Sequence, residues 1–189
     1  TGLDVTVMEF DRQVMAPLDA DMAMPVQKEL VTNGVKLKLS CALSAIEKSG
    51  QGLKLRTMGG EMLETDFVVL ATGVKPETEL AKRAGLEISA LGGVAVNEHM
   101  QTSDEDIYCI GDAAVKHNYV SDTDVMLALA GPANRQARIA ADNIAGRDSI
   151  FKGVQGTFVL KVFGITAAGT GLNEKTLDRL GIEYYKVYT

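Results

Sequence analysis

Thr102-Ser103-Asp104-Glu105-Asp106-Ile107-Tyr108-Cys109-Ile110-Gly111-Asp112-Ala113 is the stretch whose reading decides the fold. Residues 107–110 predict a buried strand, because a short apolar run between polar punctuation suits a strand covered on both faces. The run ends at Gly111-Asp112. A carboxylate at the C-terminal end of such a strand accepts hydrogen bonds from sugar-like hydroxyls, and the preceding glycine lets a ligand approach the backbone. A Gly-Asp pair by itself is only a turn signal, so its meaning depends on its surroundings.

Upstream, Phe67-Val68-Val69-Leu70-Ala71 is apolar throughout and predicts another strand covered on both faces. It runs into Thr72-Gly73-Val74-Lys75-Pro76, where glycine and proline impose a turn or crossover. A short helix over 77–84 ending at Gly85 and a short strand over 94–96 follow. Downstream, a helix is predicted over about 132–144, with Pro132 in its first turn and Gly146 past its end. Its alanines at 133, 137, 140, 141 and 145 leave small faces that pack closely on a sheet.

Toward the N-terminus, residues 5–10 read as a buried strand closing on the acidic Glu9. A helix over 19–30 places Met22, Val26 and Leu30 on one face, with its methionines filling core, and stops at Asn33-Gly34. Three short extended runs at 35–39, 42–47 and 53–57 suggest hairpins. After Arg147-Asp148 the pattern changes to a strand over 157–163, a capped helix from Asn173 to Gly181 and a strand over 182–188.

With 189 residues and 46% hydrophobic content the chain can bury a real core. Its net charge of −6, with acidic and basic residues interspersed, argues against a nucleic-acid surface. No apolar run approaches the roughly 20 residues of a membrane span, so no membrane partner and a cytoplasmic setting are expected. Cys41 and Cys109 form no CxxC, and His99 and His117 have no partners at metal-ligand spacing, so no metal is expected. Core packing is the reading for both cysteines, a solvent-exposed loop the reading for His117, and strand packing or a dimer interface the reading for Tyr184, Tyr185 and Tyr188.

The order of these signals resembles the C-terminal half of the pyridine nucleotide-disulfide oxidoreductase family, and within it the coenzyme A-disulfide reductase and NADH oxidase branch. The signals are Ala71-Thr72-Gly73 with Pro76, Thr102 leading to Tyr108 and Gly111-Asp112, and a helix opening on Gly131-Pro132. The branch is suggested by Leu129-Ala130-Gly131-Pro132-Ala133-Asn134-Arg135-Gln136-Ala137-Arg138 and by Thr166-Ala167-Ala168-Gly169-Thr170-Gly171-Leu172-Asn173-Glu174. The resemblance implies an α/β chain of partial Rossmann-like three-layer domains. Residues 1–73 would be the later part of an NAD(P)H-binding domain, 74–149 the returning half of an FAD-binding domain, and 150–189 the start of an α+β dimerisation domain.

On that resemblance Asp112 faces the ribityl chain of FAD, framed by Gly111 and Ala113. Ala130 and Pro132 lie near the isoalloxazine, where the helix start offers N–H groups to the pyrimidine edge of a reduced flavin. Ala71, Thr72 and Gly73 line the nicotinamide route. Glu9 takes the ribose hydroxyls and favours NADH over NADPH, a preference Arg12 softens by meeting a 2′-phosphate. The implied acceptor is a small-molecule disulfide, polysulfide or oxygen, and the implied assembly a homodimer. No GxGxxG occurs and no redox cysteine stands beside the flavin sequence. The expectation is therefore a piece of a larger enzyme, with no catalytic residue of its own, inactive alone and binding neither FAD nor NAD(P)H by itself. Two other readings stand beside it: a non-catalytic nucleotide-fold binding or assembly module, and the flavoprotein component of a ferredoxin or nitrite reductase system.

Overall fold

The computed structural model of the chain describes residues 2–188. They form two compact units: one takes in the chain up to Ala71 together with Phe158–Gly169 and the residues from Asn173 onward, the other Thr72–Thr157 and Thr170–Leu172. Both mix helices with small sheets, in keeping with the α/β class expected from the sequence.

In the first unit β1 (Thr6–Met8) and β2 (Lys36–Lys38) pair in parallel, Val7 opposite Leu37, joined by helix α1 (Ala20–Thr32). A parallel pair needs such a crossover because a tight turn cannot reverse the chain twice. Helix α1 follows Asp19 in extended conformation and passes through Pro25, which forfeits one intrahelical bond on the exposed side. Its buried stripe is Ala23 and Val26, extended by Leu30, and it packs with Val14 and Leu18 against Phe158, Val162 and Ile165. Full burial of a valine such as Val26 contributes roughly 1.5–3 kcal/mol. Strands β3 (Leu43–Ser49), β4 (Gly52–Thr57) and β5 (Met62–Thr65) form an antiparallel meander.

The same unit contains the hairpin of β8 (Phe158–Val162) and β9 (Ile165–Gly169) and helix α4 (Glu174–Leu180). Asn173 caps α4 by accepting the Thr176 N–H at 2.9 Å, and Gly181 ends it in the left-handed region at φ 67°. Asp19 accepts the Glu174 N–H at 3.1 Å, tying α4 to the start of α1.

The second unit holds α2 (Glu79–Arg83), the antiparallel pair β6 (Lys116–Asn118) and β7 (Thr123–Val125), and helix α3 (Ala130–Ile144). Its core gathers Met100, Ala140, Phe151 and Val154, with Tyr108, Val125 and Ile139 packed on it.

Several elements differ from the sequence reading. Met22 and Met24 point to solvent at 58% and 62% exposure, because the i, i+3 face that begins at Ala23 is the one turned inward. The run at 35–39 joins β1 in a parallel pair and not in a hairpin, and β5 and β9 are strands beyond those the sequence predicts. Phe67-Val68-Val69-Leu70-Ala71 forms no ladder among the described residues, and Val69 is 76% exposed. An apolar run becomes a strand only beside another that completes its hydrogen bonds. Residues 182–188 likewise join no sheet, and Tyr185 is fully exposed.

Candidate functional site

The stretch from 100 to 110 is not a continuous strand. Asn97 N–H donates to Gln101 O, Thr102 N–H to Ile107 O and Cys109 N–H to Met100 O, so the segment folds back on itself and keeps only one bridge, Gln101 to Tyr108. Asp104 drives this reversal: its carboxylate accepts the Asp106 N–H at 3.0 Å, the local bond that favours a turn over a ladder. Ile107, Tyr108 and Cys109 are half-buried in consequence, and burial pushes the Cys109 thiol pKa up.

Gly111 then enters the left-handed region at φ +72° and starts a single 3₁₀ turn, Gly111–Ala113. Only glycine takes that conformation without strain. Val94 threads the base of the turn, its N–H donating to Ala113 O at 2.8 Å and its carbonyl accepting the Val115 N–H at 3.0 Å. Asp112 is exposed, and Gly111 and Ala113 are partly buried on either side of it.

Two buried polar side chains that the sequence reading missed hold this turn. Gln136, fully buried on α3, accepts the Gly111 N–H at 3.0 Å. Lys116, 1% exposed on β6, donates from Nζ to Gly111 O at 2.6 Å and to Ala114 O at 2.9 Å. Burial draws the Lys116 pKa below the ordinary lysine range, opposed by the nearby Asp112 carboxylate and, less, by Cys109. A signal for each existed: Gln136 falls three residues from Ala133 and four from Ala140, within the helix face that turns inward, and Lys116 alternates with Ala114 and Asn118.

Helix α3 starts beside the turn, with Ala133 packed 3.9 Å from where a Gly111 side chain would begin. Ala130 and Gly131 are exposed and Pro132 is half-buried. The first intrahelical bond near this end runs from Ala133 N–H to Leu129 O at 3.3 Å. Pro132 has no N–H to leave unsatisfied, and the N–H groups of Ala130 and Gly131 have no acceptor among the described residues, with the positive end of the helix behind them. The structure thus sets the turn of Gly111, Asp112 and Ala113 against the helix whose first residues include Ala130 and Pro132, all within the second unit.

The remaining candidates lie elsewhere. Glu9 directly follows β1 in the first unit, its N–H donating to Lys38 O and its carbonyl accepting from Cys41 N–H, both at 2.9 Å. One carboxylate oxygen takes the Asp11 N–H at 3.0 Å, and Arg12 is exposed. An open depression of about 650 Å³ adjoins the next residue, Phe10, lined also by Leu39, Cys41, Met58 and the Lys38–Glu61 ion pair. Ala71, Thr72 and Gly73 are exposed and irregular, where the sequence passes from the first unit to the second. His117 is exposed on β6, in a strand and not a loop, with Asp122 3.3 Å away.

The Gly111 turn fits a hydroxyl-bearing ligand such as the ribityl chain of FAD. It offers an exposed carboxylate behind a glycine, and beneath it the Gln136 Nε2 donor is buried with no partner among the described residues. A buried donor left unpaired costs about 1–3 kcal/mol.

A family described as pyridine nucleotide-disulphide oxidoreductase matches residues 1–137. An NADH oxidase of Methanocaldococcus jannaschii is 38% identical over 172 residues, covering 90% of this chain and 38% of that protein. The large subunit of an Escherichia coli nitrite reductase (NADH) is 32% identical over 173 residues, covering 90% of this chain and 20% of that protein. The crystal structure of reduced Bacillus anthracis CoADR-RHD superposes with a TM-score of 0.92 at 46% identity, covering 97% of this chain and 33% of that one. The chain therefore spans well under half the length of these relatives.

Proposed function

This chain belongs to the pyridine nucleotide-disulphide oxidoreductase family, and from that premise we propose that it supplies the ribityl-facing turn and the nicotinamide-facing segment of an FAD-dependent NAD(P)H oxidoreductase. The observation that carries the reading is the Gly111–Ala113 turn set against the start of α3, with Asp112 exposed between buried supports. The chemistry that bound FAD would supply is hydride acceptance from NAD(P)H and delivery of the electron pair to a disulfide or to oxygen. Asp112 accepts hydrogen bonds from ribityl hydroxyls. The N–H groups of Ala130 and Gly131 favour negative charge at the pyrimidine edge, and Pro132 and Ala130 keep that edge uncrowded. Glu9 receives ribose hydroxyls and disfavours a 2′-phosphate by charge, while Ala71, Thr72 and Gly73 leave room for the nicotinamide.

In this proposal residues 1–73 belong to the NAD(P)H-binding domain, 74–149 to the FAD-binding domain and 150–189 to the start of a dimerisation domain. The 189 residues alone do not turn over, because the pyrophosphate-binding glycine loops are absent from their sequence. A disulfide of the coenzyme A type is the acceptor favoured by the likeness to the CoADR-RHD structure; the likeness to a nitrite reductase subunit supports a flavin-bearing electron donor as a second reading.

The test is FAD affinity in a full-length enzyme carrying these residues, with coenzyme A disulfide and nitrite compared as acceptors. Asp112→Ala should weaken FAD binding about tenfold or more, the worth of a charge-assisted hydrogen bond. Unchanged affinity would refute the ribityl role. Rapid NADH oxidation by the 189 residues alone would refute the need for the rest.

A further inference from the structure

Lys116 heads the large side chains that are almost wholly buried among the described residues. A lysine in such a place carries a heavy desolvation cost, and both groups it meets within hydrogen-bonding distance are neutral carbonyls. Those carbonyls stand at the two ends of one turn, Gly111 and Ala114. Gly111 is thereby held at both of its polar groups, the N–H by Gln136 at 3.0 Å and the C=O by Lys116 at 2.6 Å. Fixing both peptide planes around a residue at φ +72° fixes the direction in which Asp112 leaves the chain.

We infer that Lys116 is a positioning residue of the flavin contact: its ammonium clamps Gly111 and Ala114 so that Asp112 is presented to the ribityl chain, and it brings a fixed positive charge to that turn. The inference rests on the flavin reading above and deepens it. Of the three ammonium donors two are used by carbonyls, and the third has no acceptor among the described residues. The titratable groups that bear on Lys116 are Asp112 and Cys109, and the positive charge offsets the carboxylate. An apolar residue of the same length would fill the space and do neither job.

The experiment uses the full-length flavoprotein with Lys116→Met, which keeps the volume, and Lys116→Gln, which keeps a donor without the charge. FAD affinity is followed by flavin fluorescence, the potential of the bound flavin by dye equilibration at saturating FAD, and folding of the apoprotein by circular dichroism. Lys116→Met should fold, bind FAD about tenfold more weakly and hold it at a lower reduction potential, since loss of a nearby positive charge disfavours the electron-rich reduced state. Lys116→Gln should recover part of the affinity and none of the potential, and it decides the matter should the methionine variant fail to fold. Wild-type affinity and potential in a folded variant overturn the clamp alone. Absence of FAD from the unsubstituted protein overturns the flavin reading, and the clamp with it.

Discussion

The Gly111 turn and the Glu9 strand end are both places where an acidic residue follows an extended segment, yet they are built in opposite ways. Glu9 is placed by backbone register: Lys38 O and Cys41 N–H hold its peptide groups, and its carboxylate is steadied by the neighbouring Asp11 N–H. Asp112 is placed from beneath by two buried polar side chains drawn from a helix and a strand, Gln136 and Lys116. A register-built site depends on strand pairing, whereas a clamp-built one depends on a few side chains whose loss leaves buried polar groups exposed to no partner.

The sharpest way to break that contrast is to move β6, which carries Lys116. Gly153 sits at φ +97°, and a side chain there would overlap the His117 carbonyl oxygen, whose bond from Val154 N–H at 2.8 Å anchors the strand. Gly153→Ala should cost about 3 kcal/mol of stability, read as a shift in a urea unfolding curve. A loss below about 1 kcal/mol would mean that β6 yields easily and that the clamp is soft.

A gentler probe is pH. Burial lowers the Lys116 pKa in the folded state, so at alkaline pH the folded chain binds fewer protons than the unfolded one. Stability from this group is therefore full above the ordinary lysine range and lost as pH falls through the lowered value. Unfolding free energies measured across that window should show the rise in the unsubstituted protein and a flatter profile in Lys116→Met. Parallel profiles would show that Lys116 titrates as if in water.

The smallest effect is expected at the register-built site. Glu9→Gln keeps an oxygen for the Asp11 N–H, so stability should change by no more than about 0.5 kcal/mol in the same unfolding assay. A larger loss would place Glu9 among the side chains that hold the fold, and the two sites would no longer differ in kind.

Helix positions were legible in the sequence because local chemistry sets them: Asn33-Gly34 stops α1, Gly146 follows α3, and Asn173 and Gly181 bracket α4. The Gly111-Asp112 turn was legible for the same reason. Pairing was not, since the run at 35–39 carries no mark of whether its partner is β1 or the next hairpin, and the apolar 67–71 run reads as a strand wherever it stands. Lys116 and Gln136 are not legible as buried because their residue types default to the surface, although Ala114, Asn118 and Ala140 on the same faces are buried. Of the candidate site, the residues at the turn were readable and the residues that hold it were not.

The tying of Gly111 at both its N–H and its C=O also has a thermodynamic side. A loop that must order itself around a ligand surrenders conformational freedom at the moment of binding, which subtracts from affinity. Here that surrender is completed when the chain folds, so whatever occupies the turn meets a receptor that is already still, and the strength of the encounter is left to the atoms that Asp112 touches.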